Sequence, residues 1–320
     1  MLHDVKIADF QIGDVIEGFY ILKDASAKTT ANGRPYLQYQ ISDCSGFISA
    51  YYWDYPGPIG AAEIGHVVKV RGEVTSYRGG PQFTGHRIRL ATEKDEYDRS
   101  VLVPTAPIDP VERMEEIRRL VQSMEDADYR RICEVMLERH GEVFQSIPAA
   151  KTVHHSFVSG LLMHTSNMLR TADFLSGVYA EIIDRSLLLA GTLLHDFAKR
   201  EEFLFSELGL ATNYSVKGQL LGHLVMGAQE VSELASELGV PEEKSVLLQH
   251  MLLSHHGQPE FGAAVVPMCA EAELLSEIDL IDSRMEIYAE NLSEIPVGSF
   301  TNRIFALEKK IYRHKSEENT

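Results

Sequence analysis

Cysteine is scarce. Three residues, Cys44, Cys133 and Cys269, occur in a chain of 320. They are odd in number, scattered, and form no CxxC pair, so neither a disulfide framework nor a zinc ribbon is indicated, and a reducing cytoplasm fits best. Long apolar runs are also lacking: no segment reaches the roughly 20 residues that span a bilayer. The start, MLHDVKIADF, has acidic residues where a signal peptide would need a basic region and an apolar core. Basic residues are in deficit, 30 Lys and Arg against 47 Asp and Glu, for a net charge of −17. Such a chain binds duplex DNA poorly by bulk electrostatics. The deficit is uneven, because residues 1–100 hold 11 of the basic and 13 of the acidic side chains. The acidity therefore belongs to the remainder, and the length suggests about two domains.

Residues 1–100 are rich in strand formers and turns. Gly13 to Leu22 reads as a first strand, and the polar stretch AKTTANGR over 27–34 carries an Asn-Gly turn signal. Tyr36 to Ser42 alternates, with Leu37, Tyr39 and Ile41 on one face. A turn at Asp43 to Gly46 leads to a return strand at Phe47 to Trp53. Val67 to Tyr77 and Gln82 to Leu90 form a further pair. About five strands in under a hundred residues predict a small barrel or sandwich.

The runs GRPYLQYQISDCSGFISAYYWD and GHVVKVRGEVTSYRGGPQF resemble an OB-fold of the nucleic-acid-binding kind. That resemblance implies a single-strand-binding face on the second and third strands. Arg34, Tyr36, Trp53, Arg78 and Arg87 are the candidate nucleic-acid contacts. Tyr51, Tyr52, Tyr55 and Arg89 compete for the same role. Alternation cannot place all the aromatics outside, so at least two are expected in the barrel core. Lys69 and Arg71 alternate with Val68 and Val70 and are expected on one exposed face.

Residues 101–111, VLVPTAPIDPV, read as a linker. From 112 to 314 the pattern is helical, with helices expected near 156–177, 181–199, 218–238, 241–256, 270–292 and 299–314, and a frayed tail over 315–320. Within this part, LLLAGTLLHDFAK is an apolar run ending in His195-Asp196. A carboxylate and an imidazole carried into an interior need a partner, and a metal is the commonest. His164, His223, His255, His256 and Asp279 stand about 20 to 30 residues apart, which suits a site inside a helical bundle. Imidazole and carboxylate without thiolate favour Mn, Fe, Zn or Mg-type chemistry. Adjacent His255 and His256 can both be ligands only if their helix ends there, as Gly257 and Pro259 allow. His154 and His155 are candidates for a substrate phosphate, with a surface or helix-cap role as the alternative, and His250 reads as structural.

The series GLLMHT, LLHDFAK, GHL, SHHG and EIDLID over roughly 150–285 resembles the HD phosphohydrolase superfamily. The resemblance implies that His164, His195, Asp196 and Asp279 hold one metal. His223, His255 and His256 hold a second, with Asp196 bridging. Asp282 competes with Asp279, and the family pattern favours the first Asp of the pair. The cofactor expected is a divalent metal, two ions per site, Mn first and Fe, Co, Mg or Zn as alternatives. Two such ions lower the pKa of a bridging water and clamp a phosphoryl centre. Asp196 and Lys199 are the candidate catalytic residues, Lys199 lying at i+3 where its ammonium meets a non-bridging phosphate oxygen.

An HD domain behind an OB-like domain at this length resembles the YhaM-type 3′-to-5′ exoribonucleases. It implies a cytoplasmic phosphodiester hydrolase that releases nucleoside 5′-monophosphates from single-stranded RNA, with single-stranded DNA as a further candidate substrate, no membrane partner, and homo-oligomerisation open. Two other readings stand beside it. One is an HD phosphohydrolase acting on free nucleotides or cyclic dinucleotides, and GQPEFGAAVVP after His256 lacks the Gly-Tyr-Pro signature of the cyclic-dinucleotide class. The other is a non-catalytic nucleic-acid-binding protein.

Overall fold

Alternation shapes the N-terminal part. In the computed structural model, β1 (Leu2–His3), β2 (Val15–Thr29), β3 (Pro35–Asp43), β4 (Gly46–Trp53), β5 (Val67–Tyr77) and β6 (Gly80–Leu90) form one sheet. The structure describes all residues except 1, 78–79, 99–100, 104, 150–156, 207, 294 and 316–320. Arg78, His154 and His155 lie outside the described residues. The strand order is β1-β2-β3-β4-β6-β5, and β5 also pairs with β2, which closes a five-stranded barrel. β4 and β6 run parallel, and the other barrel pairs are antiparallel. This is the Greek-key order of an OB-fold. Leu37, Tyr39 and Ile41 of β3 face the interior as their alternation predicts, with Ile48, Ala50, Val68, Val70, Val74 and Phe83. Asp43 fixes the β3–β4 turn by accepting from Ser45 N at 2.8 Å, and it accepts from Ile7 N at 2.7 Å. Gly72 of VRGEV sits at a register shift in the β5–β6 pair. A Cβ there would stand 2.2 Å from the Thr84 carbonyl oxygen, so the strands meet this closely only at glycine.

The described chain divides into two compact units, Met1–Pro107 with Leu204–Asn213, and Ile108–Phe203 with Tyr214–Thr320. The second unit is helical. It holds α1 (Pro110–Gln122), α2 (Ala127–Ser146), α3 (Gly160–Val178), α4 (Arg185–Leu194), α5 (Lys199–Glu202), α6 (Val216–Leu238), α7 (Glu242–Ser254) and α8 (Ala270–Ser293). Asp109, Asp126 and Asp184 cap α1, α2 and α4 through their side chains, each accepting two backbone N–H groups. Ser186 to Leu194 of α4 are all buried, and α4 packs on α2, α3, α7 and α8. It is the central helix, and its C-terminal end delivers His195-Asp196 to the interior. No described helix is long and apolar enough to cross a membrane.

The structure departs from the expected helices in three places. A two-stranded sheet of β7 (Phe203–Phe205) and β8 (Ala211–Tyr214) interrupts the helical part. The helix expected over 181–199 stops at Leu194, turns through His195 to Ala198, and resumes as α5. No α-helix forms over 299–314, only a single 3-10 turn at Phe305–Leu307. That stretch folds back through bridges Phe300–Tyr312 and Ile304–Lys309. Thr301 Oγ1 accepts from Ile311 N at 3.1 Å across the fold-back, which takes up a backbone N–H that a helix would need. Phe305 is 95% exposed, so the spacing there imitates a helical stripe without a core to bury it.

Candidate metal centre

Five imidazoles and two carboxylates converge at the end of α4. His164 comes from α3, His195 and Asp196 from the turn after α4, His223 from α6, His255 and His256 from the end of α7, and Asp279 from α8. His164, His195, Asp196, His223 and His255 are buried. One ligand atom each of His164, His195 and Asp196 lie within 4.8 Å of one another, and so do those of His223, His255 and His256, and those of His195, His255 and Asp279.

Asp196 is the centre of the cluster. Its Oδ2 lies 3.4 Å from His195 Nε2 and 4.0 Å from His164 Nε2. Its Oδ1 lies 3.2 Å from His223 Nε2 and 3.8 Å from His255 Nε2. His164 Nε2 also lies 3.3 Å from Asp279 Oδ1.

The far side of each ring is held in place. His195 Nδ1 donates to the Thr192 carbonyl at 2.8 Å, and His255 Nδ1 donates to the Leu252 carbonyl at 2.8 Å. His223 Nδ1 donates to Glu202 Oε1 at 3.0 Å, and His164 Nδ1 donates to Asp282 Oδ2 at 2.7 Å. With a neutral ring protonated on Nδ1, Nε2 is a lone pair, and all four such lone pairs aim inward. Asp282 thus stands behind His164, whereas Asp279 meets Nε2 of the same ring on the side that faces the cluster.

Buried polar atoms are ordinarily paired. Here Nε2 of His195, His223 and His255, Nδ1 of His256 and Oδ1 of Asp196 are buried without a hydrogen-bond partner. The 3.2 Å approach of His223 to Asp196 does not have hydrogen-bond geometry. Acceptors facing acceptors in a buried interior have no mutual solution, and a cation supplies one. The residues present therefore fit a divalent metal.

The carboxylates draw positive charge into the cluster. Burial opposes the charge on His164, but hydrogen bonds and charges from Asp279 and Asp282 outweigh it and push the ring up to about 10, so a metal binding at Nε2 would have to displace a proton held there. Burial likewise opposes ionisation of Asp196, and the Lys199 charge with the His195 contact holds it well below the usual carboxylate range. His255 is driven well below the ordinary imidazole value by burial, then by His195 and His256, so it stays neutral and able to ligate.

Local conformation places three of the cluster's imidazoles. Gly222 breaks α6 with φ 71° and ψ 161°, a left-handed φ that favours glycine. The backbone N–H of His223, freed by that break, donates to Glu202 Oε1 at 3.1 Å. The same oxygen therefore fixes both the chain and the ring of His223. At the other end, α7 stops at Ser254 and Gly257 follows with φ 75°, so His255 and His256 sit in a turn and both reach the cluster. Lys199 Nζ donates to Asp196 Oδ2 at 2.6 Å. His250 Nε2 accepts from Met268 N at 2.9 Å. Sequence reading missed Glu202. Within KREE nothing in the spacing separates it from Glu201, which pairs with Lys217.

On the barrel, Tyr36, Tyr51 and Trp53 stack on the outer face of β3 and β4. Tyr36 and Trp53 are directly opposite each other. Tyr51 and Trp53 have ring centroids 5.6 Å apart at 14°, and Trp53 is 51% exposed. Tyr55 is buried and Tyr52 packs against the core. Arg34 lies 3.8 Å from Asp54, both exposed. Arg89 is engaged by Asp95.

A barrel of OB order and a helical unit with an imidazole-carboxylate centre define an HD-domain hydrolase with a divalent-metal site. The HD domain family matches residues 162–284. The 3′-5′ exoribonuclease YhaM of Listeria welshimeri is 35% identical over 317 residues, 98% of this chain and 99% of the relative. The protein of the same name from Listeria monocytogenes is 34% identical over 314 residues, again 98% and 99% of the two chains. This chain belongs to the YhaM family of 3′-5′ exoribonucleases.

Proposed function

We propose that the chain is a metal-dependent 3′-to-5′ exoribonuclease that hydrolyses single-stranded RNA to nucleoside 5′-monophosphates. The observation that carries this reading is the set of unpaired acceptor atoms around Asp196, in a chain alike along its length to relatives named for that activity. His164, His195, Asp196 and Asp279 would hold one ion, and His223, His255 and His256 the other, with Asp196 shared. Imidazole and carboxylate donors with no thiolate suit manganese, iron, zinc or magnesium, and manganese is taken as the first candidate. Bound ions of this kind lower the pKa of water and neutralise a phosphoryl centre.

The chain's own groups do the rest. Glu202 and Asp282 orient His223 and His164 from behind. Lys199, with 16% of its side chain exposed, is placed to offset charge on a non-bridging phosphate oxygen. On the barrel, Tyr36, Tyr51 and Trp53 offer π-faces on which successive bases stack, a contact indifferent to sequence. Arg34 is a phosphate contact at the edge of that stack.

Substrate class is the test. Purified protein with Mn²⁺ is offered single-stranded RNA, single-stranded DNA, a nucleoside triphosphate and a cyclic dinucleotide, and products are resolved by chromatography. Nucleoside 5′-monophosphates formed fastest from RNA are expected. Turnover of a free nucleotide or cyclic dinucleotide with RNA left intact would replace this reading by a nucleotide phosphohydrolase.

A further inference from the structure

Arg71 of β5 and Arg87 of β6 stand directly opposite each other in the antiparallel ladder. Like charges so placed are destabilising unless something answers them. The next row of the ladder, Lys69 opposite Arg89, is answered. Lys69 Nζ lies 3.4 Å from Glu17 Oε1, and Arg89 makes two 2.7 Å bonds to Asp95. The side chains of Arg71 and Arg87 have no hydrogen bond or ion pair to any described residue. Glu17 is opposite Arg71 on β2, yet its carboxylate goes to Lys69. Both arginines line a pocket of about 400 Å³, together with Tyr52 and Tyr55 and with the ion-paired Glu17, Lys69 and Arg89, so the two unpaired guanidinium groups leave the lining with a net positive charge. Two free guanidinium forks in an acidic chain, beside aromatic walls, suit a phosphate oxygen cluster.

The position in the barrel says which phosphate. β6 lies next to β4 and parallel to it, paired at Ala50–Phe83 and Tyr51–Thr84. Trp53 is two residues on from Tyr51 and Arg87 three on from Thr84, so the arginine pair lies round the barrel from the Trp53 end of the aromatic stack. We propose that Arg71 and Arg87 form a phosphate site for the backbone of a single RNA strand whose bases lie on Tyr36, Tyr51 and Trp53. This rests on the reading of the barrel as the RNA-capturing unit.

The test is the salt dependence of binding. Full-length protein in chelator, which stops hydrolysis, is titrated into fluorescein-labelled oligouridylate at several KCl concentrations and followed by anisotropy. Each phosphate contact to a single strand adds about 0.7 to the slope of log K against log salt. The Arg71→Gln/Arg87→Gln variant is expected to lose about 1.4 of slope, two such contacts, and Arg87→Gln alone about 0.7. Arg71→Lys/Arg87→Lys is expected to keep most of it. Melting curves check that the variants fold, and the single variant carries the test if the double one melts early. An unchanged slope overturns the proposal. If adenosine 5′-monophosphate then binds the natural protein and not the variant, the pocket belongs to a free nucleotide. Hydrolysis of RNA by the natural protein with metal is scored separately. An unchanged slope with normal hydrolysis removes the arginine site alone. Neither binding nor hydrolysis by the natural protein removes the exoribonuclease reading as well.

Discussion

Lys199 Nζ lies 2.6 Å from Asp196 Oδ2 and leaves Oδ1 of the same carboxylate facing His223 and His255. One carboxylate thus meets a fixed cation of the chain on one side and unpaired ring nitrogens on the other. Lys199→Met is expected to lower kcat by about 10²–10³-fold, the usual scale for losing one preorganised charge at a phosphoryl centre. Metal content should be retained or increased, because a competing cation has gone. Single-turnover kinetics with elemental analysis separates the two effects. Loss of metal together with activity would place Lys199 in the structure of the centre instead.

Glu202→Gln removes the charge that receives both the ring and the backbone of His223. Partners of this sort typically contribute 10–100-fold to metal affinity. A loss of that size is expected in metal titration of the variant, with the melting temperature of the metal-free protein moving much less. Asp282→Asn should act the same way through His164.

Gly222→Ala puts a side chain on a φ of 71°. The added Cβ meets only Glu202 Oε1, at 3.8 Å, so crowding is not the issue. Backbone strain alone, at a φ and ψ that essentially only glycine adopts, is expected to cost about 1–3 kcal/mol, read as a lower denaturation midpoint with unchanged m-value.

Trp53→Ala should weaken binding of single-stranded RNA by about 1–3 kcal/mol, the contribution of one base–aromatic stack. Trp53 is 51% exposed, so the fold should be unaffected. Duplex RNA, whose bases are already stacked, should bind the natural protein and the variant alike in a gel-shift titration.

Acid stability gives an independent prediction. Arg170 makes two 2.6 Å bonds to Glu116 and holds that carboxyl below its ordinary value. A depressed folded pKa contributes stability that is present above the unfolded value, about 4.3, and is lost as pH falls through the folded one. Arg170 is 48% exposed, so solvent screening limits the pair to about 1 kcal/mol or less. Glu116→Gln should lower the melting temperature slightly near neutrality and flatten its fall toward about pH 3.

The cluster of imidazoles and carboxylates was legible because such residues in a buried helical setting contradict their surroundings. An apolar run ending in His195-Asp196 is such a contradiction, and so is His255-His256 followed by Gly257, where only a helix end lets both rings serve. The barrel strands were legible through alternation, as Leu37, Tyr39 and Ile41 illustrate. Glu202 was not legible, since its role depends on the break at Gly222, and a glycine in a helical pattern does not announce its φ. Choosing among Tyr36, Tyr51, Tyr52, Trp53 and Tyr55 needed the register of β3 on β4 and the loop that buries Tyr55. The stretch 299–314 misled because apolar spacing alone does not say whether a core is there to receive it.

The most direct measurement is a time course on 5′-labelled single-stranded RNA with Mn²⁺, comparing the natural protein with Asp196→Ala. The account predicts a descending ladder of shortened products from the natural protein and intact RNA with the variant. Equal degradation by both would contradict it, because hydrolysis would then owe nothing to the centre built on Asp196.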